Sequence, residues 1–171
     1  MSNRRTLLRN TAATAFGATA LGALVSTPAE AQTRQQPRSS DVQQRAEIVA
    51  VLRSYERALN ASDVAGVVRL YTADAVLMAP NAPAAIGTAA VSAAYTGIFQ
   101  AIDIDLTFQV AEVHVVSPEW AFLRSNSNGS VIVLSNGVQV PSSNQELFVL
   151  QKCERGWKLA RYSFSSTLPS A

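Results

Sequence analysis

The 171-residue sequence contains one cysteine and one histidine, and both scarcities exclude kinds of chemistry. Because Cys153 is alone, no disulfide can form within the chain. We interpret Cys153 as a half-buried inert thiol where a strand runs into a turn, with an intermolecular disulfide as the alternative. His114 has neither a second histidine nor a suitable cysteine to join it in a metal site or a catalytic triad. The sequence therefore predicts no metal.

Clustered positive charge is absent as well. The 14 basic and 12 acidic residues of the chain include three arginines and one glutamate within positions 1–31, so 11 of each sign remain beyond position 31. A nucleic-acid or anionic-membrane partner would need a clustered basic patch, which this balance does not favour. The Gly-x-Gly-x-x-Gly fingerprint of dinucleotide binding is also missing, and the sequence predicts no cofactor.

The first 31 residues have the pattern of an export signal. A basic segment with Arg4-Arg5 comes first, an apolar stretch over positions 11–25 follows, and Ala29-Glu30-Ala31 supplies a small-x-small cleavage site. Paired arginines indicate the twin-arginine route, so we expect a periplasmic or secreted protein. The apolar stretch is too short and too rich in Ala, Gly and Thr for a good membrane span, and an uncleaved anchor helix is the alternative.

Cleavage after Ala31 would leave 140 residues, enough for one domain with a substantial core. Positions 32–39 are polar and predict a flexible tether, so the domain should occupy positions 40–171. Three helices are predicted, beginning at Ser40, after Asp63 and at Gly87. Each helix carries an apolar stripe, and the stripes comprise Ile48, Leu52, Tyr55 and Leu59, then Val64, Val67, Val68 and Tyr71, then Val91, Tyr95, Ile98 and Ile102.

The rest of the chain has the character of strands. A short strand is predicted at 75–78 and five more at 106–116, 120–125, 131–134, 146–151 and 157–164, with Asn136-Gly137 indicating a type I′ hairpin. Helices first and antiparallel strands afterwards predict an α+β fold, a cone-shaped, curved, mostly antiparallel sheet with about three helices on its concave face. Residues 147–150 are apolar on both strand faces, so we expect a homodimer packed through the outer face of the sheet.

The order of these elements resembles the nuclear-transport-factor-2-like superfamily. Positions 60–63 (NASD) followed by 70–77 (LYTADAVL) are similar to a signature of SnoaL-like proteins. Positions 144–150 (NQELFVL) and 161–164 (RYSF) look like the SgcJ/EcaC branch, which often has Arg in place of Gln145 and Asn in place of Ser165. The resemblance spans positions 41–168 and implies one SnoaL-like domain. The fold hosts isomerases, cyclases, hydrolases, binding modules and assembly domains, so it does not choose the activity.

A curved sheet closed by helices forms a conical cavity, and we expect a small apolar or aromatic molecule to bind there. Glu146 lies beside an apolar run, where burial would raise its pKa toward the range of a general base unless an arginine pairs with it. We expect pairing with Arg124 or Arg161. The predicted catalytic residues are Glu146, Tyr55 and Arg124, and the predicted ligand-binding residues are Tyr71, Tyr95, Phe99 and Arg161. The alternative for the tyrosines is a core role, with each hydroxyl bonded to the backbone.

Two functions stay open at this point. One is an exported enzyme that performs cofactor-free acid/base chemistry, such as isomerisation or cyclisation. The other is a non-catalytic dimeric binding or assembly module. A carboxylate paired with arginine is a poor base, so the partner of Glu146 separates the two functions.

Replacing Arg4 and Arg5 together with lysine should trap the precursor in the cytoplasm, because the paired arginines are the mark of the twin-arginine route. Immunoblots of cytoplasmic and periplasmic fractions measure the outcome. Normal export of the doubly substituted protein would contradict the assignment of this route.

Overall fold

A computed structural model describes residues 39–169 of the chain. The predicted signal peptide and nearly all of the predicted tether lie outside the described residues, as do the last two residues of the predicted domain. Within 39–169 no helix is long and apolar enough to cross a membrane.

Three helices are present, as predicted: α1 (Ser39–Asn60), α2 (Val64–Val68) and α3 (Gly87–Ala101). The apolar stripe of α1 is buried in the core. The Asp63 side chain caps α2 by accepting a hydrogen bond from the Gly66 backbone N–H at 2.8 Å. The prediction that Tyr71 shares the apolar face of α2 is wrong. The helix ends at Val68, and Tyr71 begins a strand.

Six strands form one sheet: β1 (Tyr71–Met78), β2 (Ala85–Ile86), β3 (Ile102–Val115), β4 (Trp120–Val133), β5 (Val138–Cys153) and β6 (Gly156–Ser166). Their order across the sheet is β2-β1-β6-β5-β4-β3. Neighbouring strands are antiparallel except β1 and β6, which are parallel. The predicted α+β fold with a mostly antiparallel sheet is therefore confirmed.

Each predicted strand is longer in the structure, and β4 and β5 depart most from the prediction. The strands predicted at 120–125 and 131–134 are parts of the single strand β4, and β5 begins at Val138 instead of Glu146. The joining residues were not recognised because they are polar on both faces, from Ser125 to Ser130. They continue the ladder all the same, since β4 pairs with β3 on one side and with β5 on the other.

The hairpin between β4 and β5 confirms the turn predicted at Asn136-Gly137 but not its type. Four residues, Leu134 to Gly137, connect the strands, and the Gly137 N–H donates to the Val133 carbonyl at 2.8 Å. Gly137 has φ +70°, whereas Asn136 has no positive φ. A type I′ turn needs positive φ at both central residues, so the connection is a longer loop with glycine in the left-handed position.

Irregularities in the ladder bend the sheet around the helices. The β3–β4 pairing shifts register between Val110 and Glu112, and the β5–β6 pairing shifts between Val149 and Leu150. Such bulges increase local twist and curvature. Close to Gly129 the backbones of β3 and β4 approach so tightly that a Cβ there would lie 2.1 Å from the Asp105 carbonyl oxygen. The curved face turned toward the helices carries the core.

The core centres on an aromatic cluster below the helices. The Tyr55 ring packs edge-on against the rings of Phe108, Phe148 and Tyr162, with centroids 5.5–5.7 Å apart. On β5 the inward residues Phe148 and Leu150 are buried, whereas Leu147 on the other face is 43% exposed. The two-sided apolar character predicted for this strand is confirmed.

Candidate functional site

A cavity of about 640 Å³ lies between the helices and the concave face of the sheet. Its walls are mostly apolar and come from α1, α3, all six strands and the segment 79–83 between β1 and β2, which contains Pro80 and Pro83. The aromatic cluster supplies Tyr55, Phe108 and Tyr162. This volume suits a molecule of one to a few rings.

Glu146 is the charged residue in the cavity wall. Its side chain comes from β5 and the residue is only 4% exposed. The Ser125 hydroxyl donates to Oε2 at 2.6 Å, and the Ser127 hydroxyl donates to Oε1. The strand register explains both contacts, because Ser125 lies directly opposite Glu146 on β4 and Ser127 follows on the same face. Each carboxylate oxygen therefore has one hydroxyl donor.

Burial and hydrogen bonding act on the Glu146 carboxyl in opposite directions. Removal from water raises its pKa, whereas the hydrogen bonds from Ser125 and Ser127 lower it. Burial is the larger effect, so the pKa lies above the ordinary value for glutamate. Among the residues that line the cavity, none is a lysine, arginine or histidine.

The expected arginine partner of Glu146 is not found, and this prediction was wrong. Arg124 forms an ion pair with Glu112 and is largely exposed. Arg124 lies opposite Leu147 in the β4–β5 register, and alternation along β4 places it on the outer face of the sheet. Arg161 also points away from the cavity, pairing with Asp74 at 3.6 Å and donating to backbone carbonyls. Neither Arg124 nor Arg161 lines the cavity, although both were predicted as site residues.

The predicted residues Tyr55, Tyr71 and Tyr95 do lie together, and their hydroxyls are hydrogen-bonded to one another instead of to the backbone. The Tyr95 hydroxyl lies 2.9 Å from the Tyr55 hydroxyl and 2.8 Å from the Tyr71 hydroxyl. Burial raises the pKa of Tyr55 to about 12 and the pKa values of Tyr71 and Tyr95 well above the usual 10. All three phenols are therefore neutral at physiological pH. Two hydrogen bonds join three O–H groups, so one O–H is left for another acceptor.

Tyr55 and Tyr95 line the cavity itself, and Tyr71 supports them from behind. Phe99 packs against the Tyr95 ring at 5.8 Å and also lies behind the wall. His114 stacks on Phe122 on the outer face, exposed on the same side as Glu112, as the alternation predicts. Within residues 39–169 no three His, Cys, Asp or Glu side chains group closely enough to hold a metal ion.

Sequence reasoning missed several residues of the site. Tyr162 stacks on Phe148 with centroids 4.2 Å apart. Burial raises the pKa of the Tyr162 phenol well above the usual 10, and negative charge on Tyr55 or Glu146 raises it further. Of the two serines that bond to Glu146, Ser125 ends the strand predicted at 120–125, and Ser127 lies in the segment 126–130, which is not predicted as a strand. Asn144, two residues before Glu146, shares its face and also lines the cavity. Period-two alternation from Glu146 would have found it.

Comparison with known proteins places the chain in a family. Residues 51–151 match the model of the SnoaL-like domain. A ketosteroid isomerase-like protein from Erwinia carotovora atroseptica is 37% identical, with a TM-score of 0.72, and the alignment covers 74% of this chain and 98% of that one. Among curated proteins we find none that matches.

Two more distant structures share the fold. A nuclear transport factor 2-like superfamily protein from Salmonella enterica is 14% identical, with a TM-score of 0.67, over 76% of this chain and 95% of its own. A protein from Novosphingobium aromaticivorans with a cystatin-like fold is 18% identical, with a TM-score of 0.60, over 76% and 86% of the two chains. The chain belongs to the SnoaL-like domain family, and its fold is that of the nuclear transport factor 2-like protein from Salmonella.

Proposed function

We propose that the cavity binds a small, neutral, apolar or aromatic carbonyl compound and that Glu146 abstracts a proton from the carbon next to the carbonyl. The observation that carries this proposal is the setting of Glu146. It is a buried carboxylate with hydroxyl donors and, within residues 39–169, no cationic partner, in the wall of a largely apolar cavity. A carboxylate with a raised pKa is a stronger base than an exposed one.

The step proposed for Glu146 moves one proton and one electron pair. The carboxylate takes the proton, the C–H bonding pair becomes the new C=C bond, and the carbonyl π pair moves onto oxygen as an enolate. A phenol O–H of Tyr55 or Tyr162 stabilises that oxygen, since both residues line the same cavity. In a β,γ-unsaturated ketone the enolate is conjugated with the C=C bond of the ligand, and return of the proton to the γ-carbon shifts that bond into conjugation with the carbonyl and completes an isomerisation.

The charge of the cavity supports a neutral ligand. The carboxylate of Glu146 would repel a ligand carboxylate, and the lining holds no cationic side chain to offset that repulsion. The name of the Erwinia relative, a ketosteroid isomerase-like protein, agrees with chemistry of this class. We also propose membership of the SgcJ/EcaC branch, on the motifs at 144–150 and 161–164.

A homodimer is a second proposal, and with it a binding or assembly role for the outer face. Leu147, Val149, Trp120 and Phe122 lie together on the outer face of β4 and β5, and all are at least partly exposed. A second copy covering this patch would remove apolar surface from water. We further propose, on the pattern of residues 1–31, that the protein works after export to the periplasm or the exterior.

Exchange of the α-protons of 1-tetralone in deuterated buffer tests the proposed chemistry without knowledge of the natural substrate. The wild type should accelerate the loss of the C2 proton signal by NMR. Glu146→Gln should slow that exchange by about 100-fold or more, because it removes the base and keeps the shape. Glu112→Gln is the matched control on the outer face and should exchange at the wild-type rate. Exchange that is no faster than in buffer, or insensitive to Glu146→Gln, would refute the base role.

Light scattering of the protein that begins at Gln32 tests the dimer. At micromolar concentration we expect a dimer for the wild type and a monomer for Leu147→Glu, because a charge on the outer face opposes burial there. Leu134→Glu places the same charge on an exposed leucine of the hairpin loop and should remain dimeric. A monomeric wild type would rule out this interface.

A further inference from the structure

The polar side chains of the cavity wall outside the tyrosines form one strip. They are Ser127 on β4 and Ser142, Asn144 and Glu146 on β5, and the surrounding wall is apolar. Positions 142, 144 and 146 share the inward face of β5, with about 7 Å between successive positions along the strand. The strip therefore extends for two such steps from Glu146 toward the β4–β5 hairpin.

Two hydrogen-bonding groups of this strip have no partner within residues 39–169. The Asn144 amide N–H₂ donates to the Ser127 hydroxyl and to the Ser142 hydroxyl, each at 3.2 Å. Ser127 in turn donates to Glu146, so its hydroxyl both accepts and donates. Within residues 39–169 the Asn144 Oδ1 oxygen accepts no hydrogen bond and the Ser142 O–H donates none. One acceptor and one donor thus lie side by side in the cavity wall.

We propose that Asn144 and Ser142 form a second polar subsite, which holds a hydroxyl group of the ligand. A hydroxyl matches the pair because it can donate to Oδ1 and accept from the serine O–H at once. The ligand class is then a neutral molecule with an apolar ring body that carries a hydroxyl group in addition to the carbonyl oxygen. The position of the carbonyl oxygen of the ligand rests on the proposed function of Glu146. The hydroxyl subsite rests on Asn144 and Ser142 alone.

The apolar side of the same cavity fits this ligand. Ala94, Ile98 and Ala101 of α3 line the wall, as do Pro80 and Pro83 between β1 and β2. These side chains offer no hydrogen-bonding group to a ring that rests on them. Specificity for the second oxygen must therefore come from the β5 strip.

Calorimetric titration with 1-tetralone and 6-hydroxy-1-tetralone tests the subsite. The two ketones differ in one hydroxyl, which lies across the ring system from the carbonyl. The wild type should bind the hydroxylated ketone about fivefold more tightly, the effect of one net hydrogen bond. Ser142→Ala and Asn144→Ala should each lose this preference. Ser143→Ala should keep it, because Ser143 bonds to Asn128 and Thr167 outside the cavity.

Two outcomes would overturn the subsite: no preference in the wild type, or a preference that survives both Ser142→Ala and Asn144→Ala. Ser142→Ala keeps the test decisive if Asn144→Ala fails to fold, since Ser142 makes no contact with Glu146. Glu146→Gln separates the subsite from the base role. That variant should lose proton exchange yet retain the fivefold preference for the hydroxylated ketone. A wild type that shows this preference but does not accelerate proton exchange would support the subsite and refute the base role of Glu146.

Discussion

A carboxylate inside an apolar cavity costs free energy unless polar groups surround it, and the pairing of β4 with β5 meets this constraint for Glu146. Ser125 and Ser127 reach the two carboxylate oxygens only because the register sets Ser125 opposite Glu146 and Ser127 opposite Asn144. A slip of one residue would turn Glu146 outward and bring Leu147 inward, reversing both faces of the strand. The hydrogen bonds of the site and the burial of the core therefore depend on the same register.

The aromatic cluster sets how deep the cavity can be. Tyr55 makes edge contacts with four other rings, which close the space beneath it. Its hydroxyl points into a chain of phenols that burial keeps neutral. The cluster thus has two roles, since its rings stabilise the fold and its hydroxyls bring hydrogen-bond donors to an otherwise apolar chamber.

The helices and the class of fold could be predicted from the sequence, because each rests on a local apolar period. The inward direction of Glu146 has no such basis, since residues 147–150 are apolar on both faces of the strand. The continuity of β4 through positions 126–130 and the start of β5 at Val138 could not be predicted, since the residues there are mostly serine, asparagine, glutamine, proline and glycine, which are typical of a loop. The face on which Arg124 lies could not be predicted either. Side chains alternate between the two faces of a strand, and the polar segment 126–130 shows no apolar alternation from which the inward face of β4 could be identified. The bonds between Tyr55, Tyr95 and Tyr71 join three elements and have no signature in any one of them.

The central claim is that Glu146 is a buried carboxylate with no cationic partner in the described part of the chain, and the pH dependence of stability tests it most directly. Because the folded-state pKa is raised, the folded protein binds more protons than the unfolded chain between the two pKa values, and stability is lost as pH rises through that window. Glutamine does not titrate.

Thermal melts from pH 4 to pH 8 should therefore show the melting temperature of Glu146→Gln rising relative to the wild type as pH increases. Glu154→Gln, in the exposed turn between β5 and β6, should show no such rise. A Glu146→Gln protein that becomes less stable than the wild type toward neutral pH would mean that a positive charge pairs with Glu146, and would contradict the account.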